Sequence, residues 1–376
     1  MGKSYWLLLV LLIVFAPIYT TCFFAASVYN NYEYNKAVDQ FNNGLLLDKP
    51  IQGNLPREFN IVYNDINQLS DHNNIFLIGS STVMYGLLSY ESTIPENWSI
   101  HNMAIGGGVS VSEMMLMINY LNSYANHKPD KSDVIVIHIF YPSFKVAPEN
   151  EQYITQIIEA YGVYSIDKNL QVHGYMPDIY REWMSSKETI RMAIDSFTGI
   201  NMFSFSGSLL TKLLKISNNI TNFFLKTQVQ PSVDSYNSIY TYHSPAQIVE
   251  YKDFWTRFTA SIPGYPNSET EKFKDFLAKL NSQTNVIVVN MYLPSWQRDI
   301  EKQKGYEEWM QSDLVPFLEE NQIAYVDFSN SFKDEEYADS GHLNKAGREH
   351  FTKLFDDAIK PILTNIYQTS CIPSGD

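Results

Sequence analysis

Hydrophobic and polar positions change their pattern three times along the chain. From Tyr5 to Val28 the sequence is apolar without a charged residue. A helix of that length rises about 36 Å, enough to cross a hydrocarbon core of about 30 Å. The pattern therefore predicts a transmembrane anchor over 5–28, with Pro17 a tolerated kink. Lys3 precedes it and Glu33 and Lys36 follow, which predicts a cytoplasmic N-terminus and an extracytoplasmic bulk. A cleaved signal peptide is the competing reading. Ala25, Ala26 and Ser27 suit a signal peptidase, but a secretory apolar region usually runs about 7–15 residues. Residues 29–70 are polar and rich in Tyr and Asn, and read as a stalk with a helical piece near Tyr34–Phe41.

From residue 71 the chain alternates short apolar runs with helical periodicity. Ile75–Ile78 reads as a buried strand ending at Gly79. Ser99–Ile105 reads as a second strand running into Gly106-Gly107-Gly108. Ser110 caps a predicted helix to Tyr124, with Val111, Met114, Met115, Ile118 and Leu121 on one face. Val134–Phe140 is continuous and β-rich, as a central parallel strand should be. The rhythm then breaks. Residues 147–265 show helical pieces rich in Tyr, Phe and Ser and no clean strand alternation, and are read as a helical insertion after the third strand. The rhythm resumes with a helix over Ser268–Leu280, strands at Val286–Met291 and Ile323–Phe328, and a helix over Tyr306–Asn321 that Pro316 interrupts. A last amphipathic helix spans Asn344–Lys360, with Phe351, Leu354, Phe355 and Ala358 on one face and Pro361 as its stop. The expected architecture is α/β: a three-layer αβα domain on a mostly parallel five-stranded sheet. It is assembled from 71–146 and 266–366 around the insertion.

Composition narrows the class. The 376 residues are 45% hydrophobic and 18% charged, which supplies a sizeable core. Lys and Arg total 27 against 41 Asp and Glu, a net charge of −14. So acidic a chain has no bulk attraction for nucleic-acid phosphates, and no nucleic-acid partner is expected. Two cysteines, Cys22 and Cys371, exclude a disulfide scaffold and a four-thiolate zinc site. No His or Cys cluster in the sequence suggests a metal. The glycine spacing is not GxGxxG and there is no GxxxxGK[ST], so no nucleotide cofactor is expected.

Open α/β sheets place their chemistry at the carboxyl ends of strands. Gly79-Ser80-Ser81-Thr82 follows the first strand, where a serine can sit at the mouth of the sheet; the same residues also read as a plain turn and helix cap. Asn102 to Gly108 follows the second strand. Its glycines let a backbone N–H approach a developing oxyanion, or form only a flexible loop. Asp339-Ser340-Gly341-His342 precedes the last helix. A carboxylate three residues before an imidazole can accept from Nδ1–H and leave Nε2 free to take a serine proton; alone, the pair also reads as a solvated loop. His138 reads as a core histidine, His350 as a surface one, and Asp327 as a turn residue or a supporting carboxylate. Phe203–Lys226 reads as a helix packing the insertion's own core or resting on a membrane surface. Tyr153, Tyr161, Tyr164, Tyr175 and Trp183 fill that core or line a glycan groove.

Taken together, these blocks resemble the SGNH (GDSL-like) hydrolase superfamily. The resemblance covers about 75–140 and 286–360. The family's nucleophile block is similar to Gly79-Ser80-Ser81, which maps the nucleophile onto Ser81, with Ser80 in place of the usual Asp. Its Asn-x-Gly-x-x-Gly block is similar to Asn102–Gly107, with Ala104 for the first Gly, and implies an oxyanion hole from the Ser81 and Gly107 N–H groups. Its closing Asp-x-x-His maps onto Asp339 and His342. The third block, Gly-x-Asn-Asp, has no counterpart: His138-Ile139-Phe140-Tyr141-Pro142-Ser143 stands there. The usual Asn donor is thus absent, leaving Ser143 or Tyr141 as candidate substitutes.

With an N-terminal anchor and a long insertion, the chain looks most like membrane-anchored SGNH-like acyltransfer proteins of bacterial envelopes. These include the D-alanyl transfer protein of the teichoic acid pathway and the SGNH partners of polysaccharide O-acetylation. The resemblance implies a Ser-His-Asp acyltransferase or esterase without a cofactor. Its acceptor would be an envelope glycan or teichoic acid, and its partner a multipass membrane-bound O-acyltransferase. A non-catalytic scaffold that keeps the fold, and a plain exported esterase, are the other readings.

Overall fold

The computed structural model describes residues 69, 73–88, 92–104, 110–125, 127–145, 163–166, 172–175, 241–260, 262 and 264–370. Apart from Tyr175, all of them belong to a compact unit made of Gln40–Gly174 and Pro231–Asp376. The segment expected to cross a membrane, the stalk up to residue 68 and Phe203–Lys226 lie outside the described residues. So do Tyr153, Tyr161 and Trp183. Among the described residues no helix is long and apolar enough to cross a membrane.

Five strands form one all-parallel sheet: β1 (Asn74–Ile78), β2 (Ser99–Asn102), β3 (Val134–Ile139), and, beyond the insertion, β6 (Asn285–Asn290) and β7 (Ala324–Asp327). Their order across the sheet is β2-β1-β3-β6-β7, every neighbouring pair parallel. The expected α/β architecture is present at this level. Every residue of β1 and β3 is buried. Because side chains alternate between faces, burial at each position means that both faces of the sheet are covered. The chain runs from β1 outward to β2 and then returns past β1 to β3. The crevice that such a reversal opens lies at the carboxyl ends of β1 and β3.

Local chemistry accounts for most of the helices. Helix α1 (Ser81–Gly86) leaves β1 through Gly79. A Cβ on Gly79 would lie 3.0 Å from Val83 Cγ2 and 3.1 Å from His138 Cβ, so only glycine fits without displacement. Helix α2 (Val111–Tyr124) begins with a full capping box: Glu113 N donates to Ser110 Oγ, and Ser110 N donates to Glu113 Oε2. Helix α3 (Pro245–Phe258) carries the same device in Ser244 and Gln247. Asn267 caps α4 (Ser268–Gln283). Helix α5 (Ser295–Gln303) follows β6, and α6 (Tyr306–Trp309) and α7 (Val315–Glu320) follow in turn. Helix α8 (Lys345–Ser370) closes the fold, and Phe355 on it stacks on His138 of β3, ring centroids 6.2 Å apart.

Three expectations need correction. The insertion is not purely helical: β4 (Val163–Ile166) and β5 (Val172–Tyr175) make a separate two-stranded sheet. At four residues each, they are too short for their alternation to stand out from background. Over 306–320, a π turn at Met310–Leu314 joins α6 to α7. Pro316 follows at the start of α7. A proline lacks the N–H that would bond four residues back and crowds that carbonyl, and the wider π turn takes up the mismatch. Pro361 does not stop the last helix, which continues to Ser370. The proline lies on an exposed position, while Phe351, Phe355, Ile359 and Leu363 keep a buried stripe running through it. Burial at that spacing outweighs one lost backbone bond on the solvent side. Leu354 and Ala358 flank this stripe half-buried.

Candidate active site

The turn after β1 puts Ser81 at the first position of α1. Ser80 is the cap: its carbonyl accepts from Val83 N and Met84 N, and its hydroxyl pairs with Thr82 Oγ1 at 2.9 Å. Ser81, one residue on, is left with its side chain at the rim. No hydrogen bond to the Ser81 backbone N–H occurs among the described residues. The carbonyl of Thr82 accepts from Tyr292 Oη at 2.8 Å, which ties α1 to the segment after β6. Asn102 ties it to β2, donating to Met84 O and accepting from Ala104 N.

The loop before α8 is built independently. Tyr337 and Leu343 bridge antiparallel, and Ala338 N donates to His342 O at 2.7 Å. Asp339 accepts at one oxygen from the Gly341 and His342 backbone N–H groups, both at 2.9 Å. The carbonyl of Ser340 accepts from Trp255 Nε1 of α3 at 3.1 Å and from Gln297 Nε2 of α5. Gly341 lies against Trp255, where a Cβ would come within 3.4 Å of the indole. The turn is thus held from within by Asp339 and from outside by two helices.

These two constructions meet. His342 Nε2 lies 2.8 Å from Ser81 Oγ, across a separation of 261 positions. His342 Nδ1 lies 2.9 and 3.0 Å from the two Asp339 oxygens. A carboxylate only accepts, so the proton sits on Nδ1; Nε2 of the neutral ring then accepts from the Ser81 hydroxyl. Burial alone would lower the imidazole pKa. The charge of Asp339 and its hydrogen bond outweigh that, and the net shift is upward from 6.5. The ring keeps a 17% exposed edge, and Tyr85 stands edge-on to it at 5.9 Å. The arrangement can deprotonate a serine hydroxyl and hold the resulting imidazolium.

Other sequence candidates lie elsewhere. Gly107 lies outside the described residues. Ser143 is committed to the 3-10 turn Tyr141–Phe144, its hydroxyl accepting from Phe140 N at 3.1 Å. Tyr141 is buried, its carbonyl accepts from Tyr265 Oη, and burial and then Glu301 push its phenol upward. Phe144 anchors the turn in an aromatic cluster, 4.8 Å from Trp309 and 5.5 Å from Phe273. Among the described residues, Ser143 and Tyr141 bond and pack within the turn and the core rather than against Ser81. His138 is a core histidine. Its Nδ1 lies 3.3 Å from Ile78 O, its Nε2 has no partner among the described residues, and burial pushes it down to about 4. His350 is half-exposed and pairs with Glu336 at 2.9 Å. Asp327 accepts from Asn290 Nδ2 and Ser329 N, and lines a different cleft.

The only ligand-like cluster among the described residues is His127, Asp130 and Asp133. It sits at the amino end of β3, the opposite edge of the sheet from Ser81. Its oxygens serve the fold: Asp133 accepts from Asn74 N and Nδ2 and from Asp130 N, and pairs with His127 at 2.7 Å. Trp255, Gln297 and Tyr292 are the supporting residues that sequence reading missed; each acts through a contact more than 40 positions away and carries no motif.

No family model matches the chain, and no curated protein matches it.

Proposed function

We propose that this protein is a membrane-anchored, extracytoplasmic SGNH-type serine acyltransferase or esterase. The observation that carries the reading is the continuous Ser81–His342–Asp339 hydrogen-bonded chain. The sheet order supports the finer assignment to a three-layer, flavodoxin-like domain: counted over its five strands it is 2-1-3-4-5, with Ser81 beside the switch point.

In the proposed reaction, His342 Nε2 takes the Ser81 proton as Ser81 Oγ attacks an ester or thioester carbonyl. The backbone N–H groups of Ser81 and Gly107 receive the oxyanion. Collapse expels the alcohol or thiol, which takes the proton back from His342 and leaves an acyl-serine. A glycan or teichoic acid hydroxyl then gives its proton to His342 and attacks, and the departing Ser81 oxygen recovers that proton. Water in place of the acceptor gives hydrolysis. One oxyanion donor is worth about 100- to 1,000-fold in rate. Absence of the third-block Asn therefore fits a slow or highly selective transferase, and the resemblance supplies its partner, a multipass membrane-bound O-acyltransferase.

The same absence, with Ser143 and Tyr141 held in the turn and core, favours a second reading: a scaffold that keeps the fold without turnover. A fluorophosphonate probe separates the two. Labelling of the wild type that disappears in Ser81→Ala supports the enzyme. An unlabelled wild type supports the scaffold, and equal labelling of both proteins would contradict Ser81 as the nucleophile.

A further inference from the structure

A second cleft opens at the carboxyl ends of β6 and β7, along the same sheet edge as Ser81. It encloses about 390 Å3, a size that suits a small organic ligand. Asn290 and Asp327, the last residues of those strands, line it together with Glu301 of α5. Glu301 is 8% exposed, and among the described residues no hydrogen bond or ion pair reaches its carboxylate. A carboxyl on a buried residue that no protein group pairs with is left to water or to a ligand in the cleft.

The surroundings say which ligand. Exposed Glu307 on α6 and Asp327 on β7 add negative charge around Glu301. Arg298 and Lys302, on the same helix, also line the cleft and act against it, which leaves the three carboxylates one charge in excess, and among the described residues neither forms an ion pair with Glu301. Tyr306 is buried and donates to Asn290 Oδ1 at 3.0 Å, and with Tyr325 it gives the cleft an aromatic side. Tyr141 and Tyr265 also feel the Glu301 charge. The carboxylates do not converge: among the described residues only the His127 cluster gathers ligand atoms tightly enough for one metal ion. Spread carboxylates beside aromatic rings fit a cation with an organic body better than a bare ion.

From this geometry we infer that the cleft is a binding subsite for a small organic ammonium group, with Glu301 as its principal counter-ion. Burial, then Glu307 and Asp327, push the Glu301 carboxyl up to about 7. The empty site is therefore half-protonated near neutral pH, and a bound cation favours the ionised form. Gln297, one turn before Glu301 on α5, donates to Ser340 O. The same helix thus carries both the cleft's Glu301 and a clamp on the His342 turn.

The test is calorimetric titration of the full-length protein with ethanolamine hydrochloride, with ethylene glycol as the uncharged control. Ethanolamine is expected to saturate the wild type about tenfold more tightly at pH 8 than at pH 6, as Glu301 ionises. Glu301→Gln, a near-isostere, should lose at least tenfold in affinity. Glu307→Gln, an exposed change, should move the tightening to lower pH, because it removes one of the charges that hold the proton on Glu301. Ethylene glycol binding as well as ethanolamine would overturn the inference. So would ethanolamine affinity unchanged in Glu301→Gln, or no saturable ethanolamine binding at pH 8.

Discussion

At the scale of single residues, the imidazole of His342 is set by two opposed effects, burial and the Asp339 carboxylate, and the carboxylate wins. Protonated His342 cannot take the Ser81 proton. The rate against an ester should therefore fall on the acid side with a midpoint above the ordinary 6.5 of histidine. Asp339→Asn should lower both that midpoint and kcat/KM, the latter by about 10³–10⁴-fold. A pH–rate profile of the two proteins checks this, and an unchanged acid limb would contradict it. Glu301 gives a residue-scale effect on stability. Its carboxyl binds a proton more tightly folded, near 7, than unfolded, near 4.5. The stabilisation is complete below about 4.5 and is lost as pH rises through 7, amounting to about 3 kcal/mol. His138 and His342 titrate in both proteins, so urea titrations should show the stability of the wild type relative to Glu301→Gln falling by about 3 kcal/mol between pH 4.5 and 8.

At the scale of elements, the loop before α8 is held by α3 and α5 as well as by its own bonds. Trp255→Phe keeps an aromatic ring but removes the donor to Ser340 O and the indole edge that lies against Gly341. A loss of about 1–3 kcal/mol in stability is expected, with a larger fractional fall in kcat than in KM. An unaltered kcat would show that the turn holds its own shape. Helix α1 makes a sterner demand. A Cβ on Gly86 would lie 2.6 Å from Tyr292 Oη, which donates to Thr82 O, so Gly86→Ala must displace that bond. Thermal unfolding should report a drop of about 1–3 kcal/mol. How far elements can be read from sequence follows the same physics. The strands Ile75–Ile78 and Val134–Phe140 are legible because a doubly covered parallel strand must be apolar throughout. The Ser110 cap is legible because a serine stands directly before the helical periodicity, and the structure adds its partner Glu113 three residues on. The continuation past Pro361 is not, since it depends on Ile359 and Leu363 finding a surface that local pattern does not contain. The two short strands in the insertion are not legible because four residues are too few for alternation to show.

At the scale of the whole molecule, Ser81 and His342 belong to opposite ends of the described chain and meet only because β1 lies inside the sheet between β2 and β3. The residue types and their places at strand ends are readable in sequence. The clamps from Trp255, Gln297 and Tyr292 are not, because they are long-range pairs without spacing. A site assembled across the sheet should fail with the sheet. Fluorophosphonate reactivity and tryptophan fluorescence should therefore share one urea midpoint, and earlier loss of reactivity would mean the loop before α8 detaches first. The most direct test of the covalent proposal is acid-quenched mass spectrometry after brief exposure to p-nitrophenyl acetate. A single acetyl group on the peptide containing Ser81, absent in Ser81→Ala and scarce in His342→Ala, is the expected result. An unmodified Ser81 peptide, or an acetyl group that persists in both variants, would contradict it.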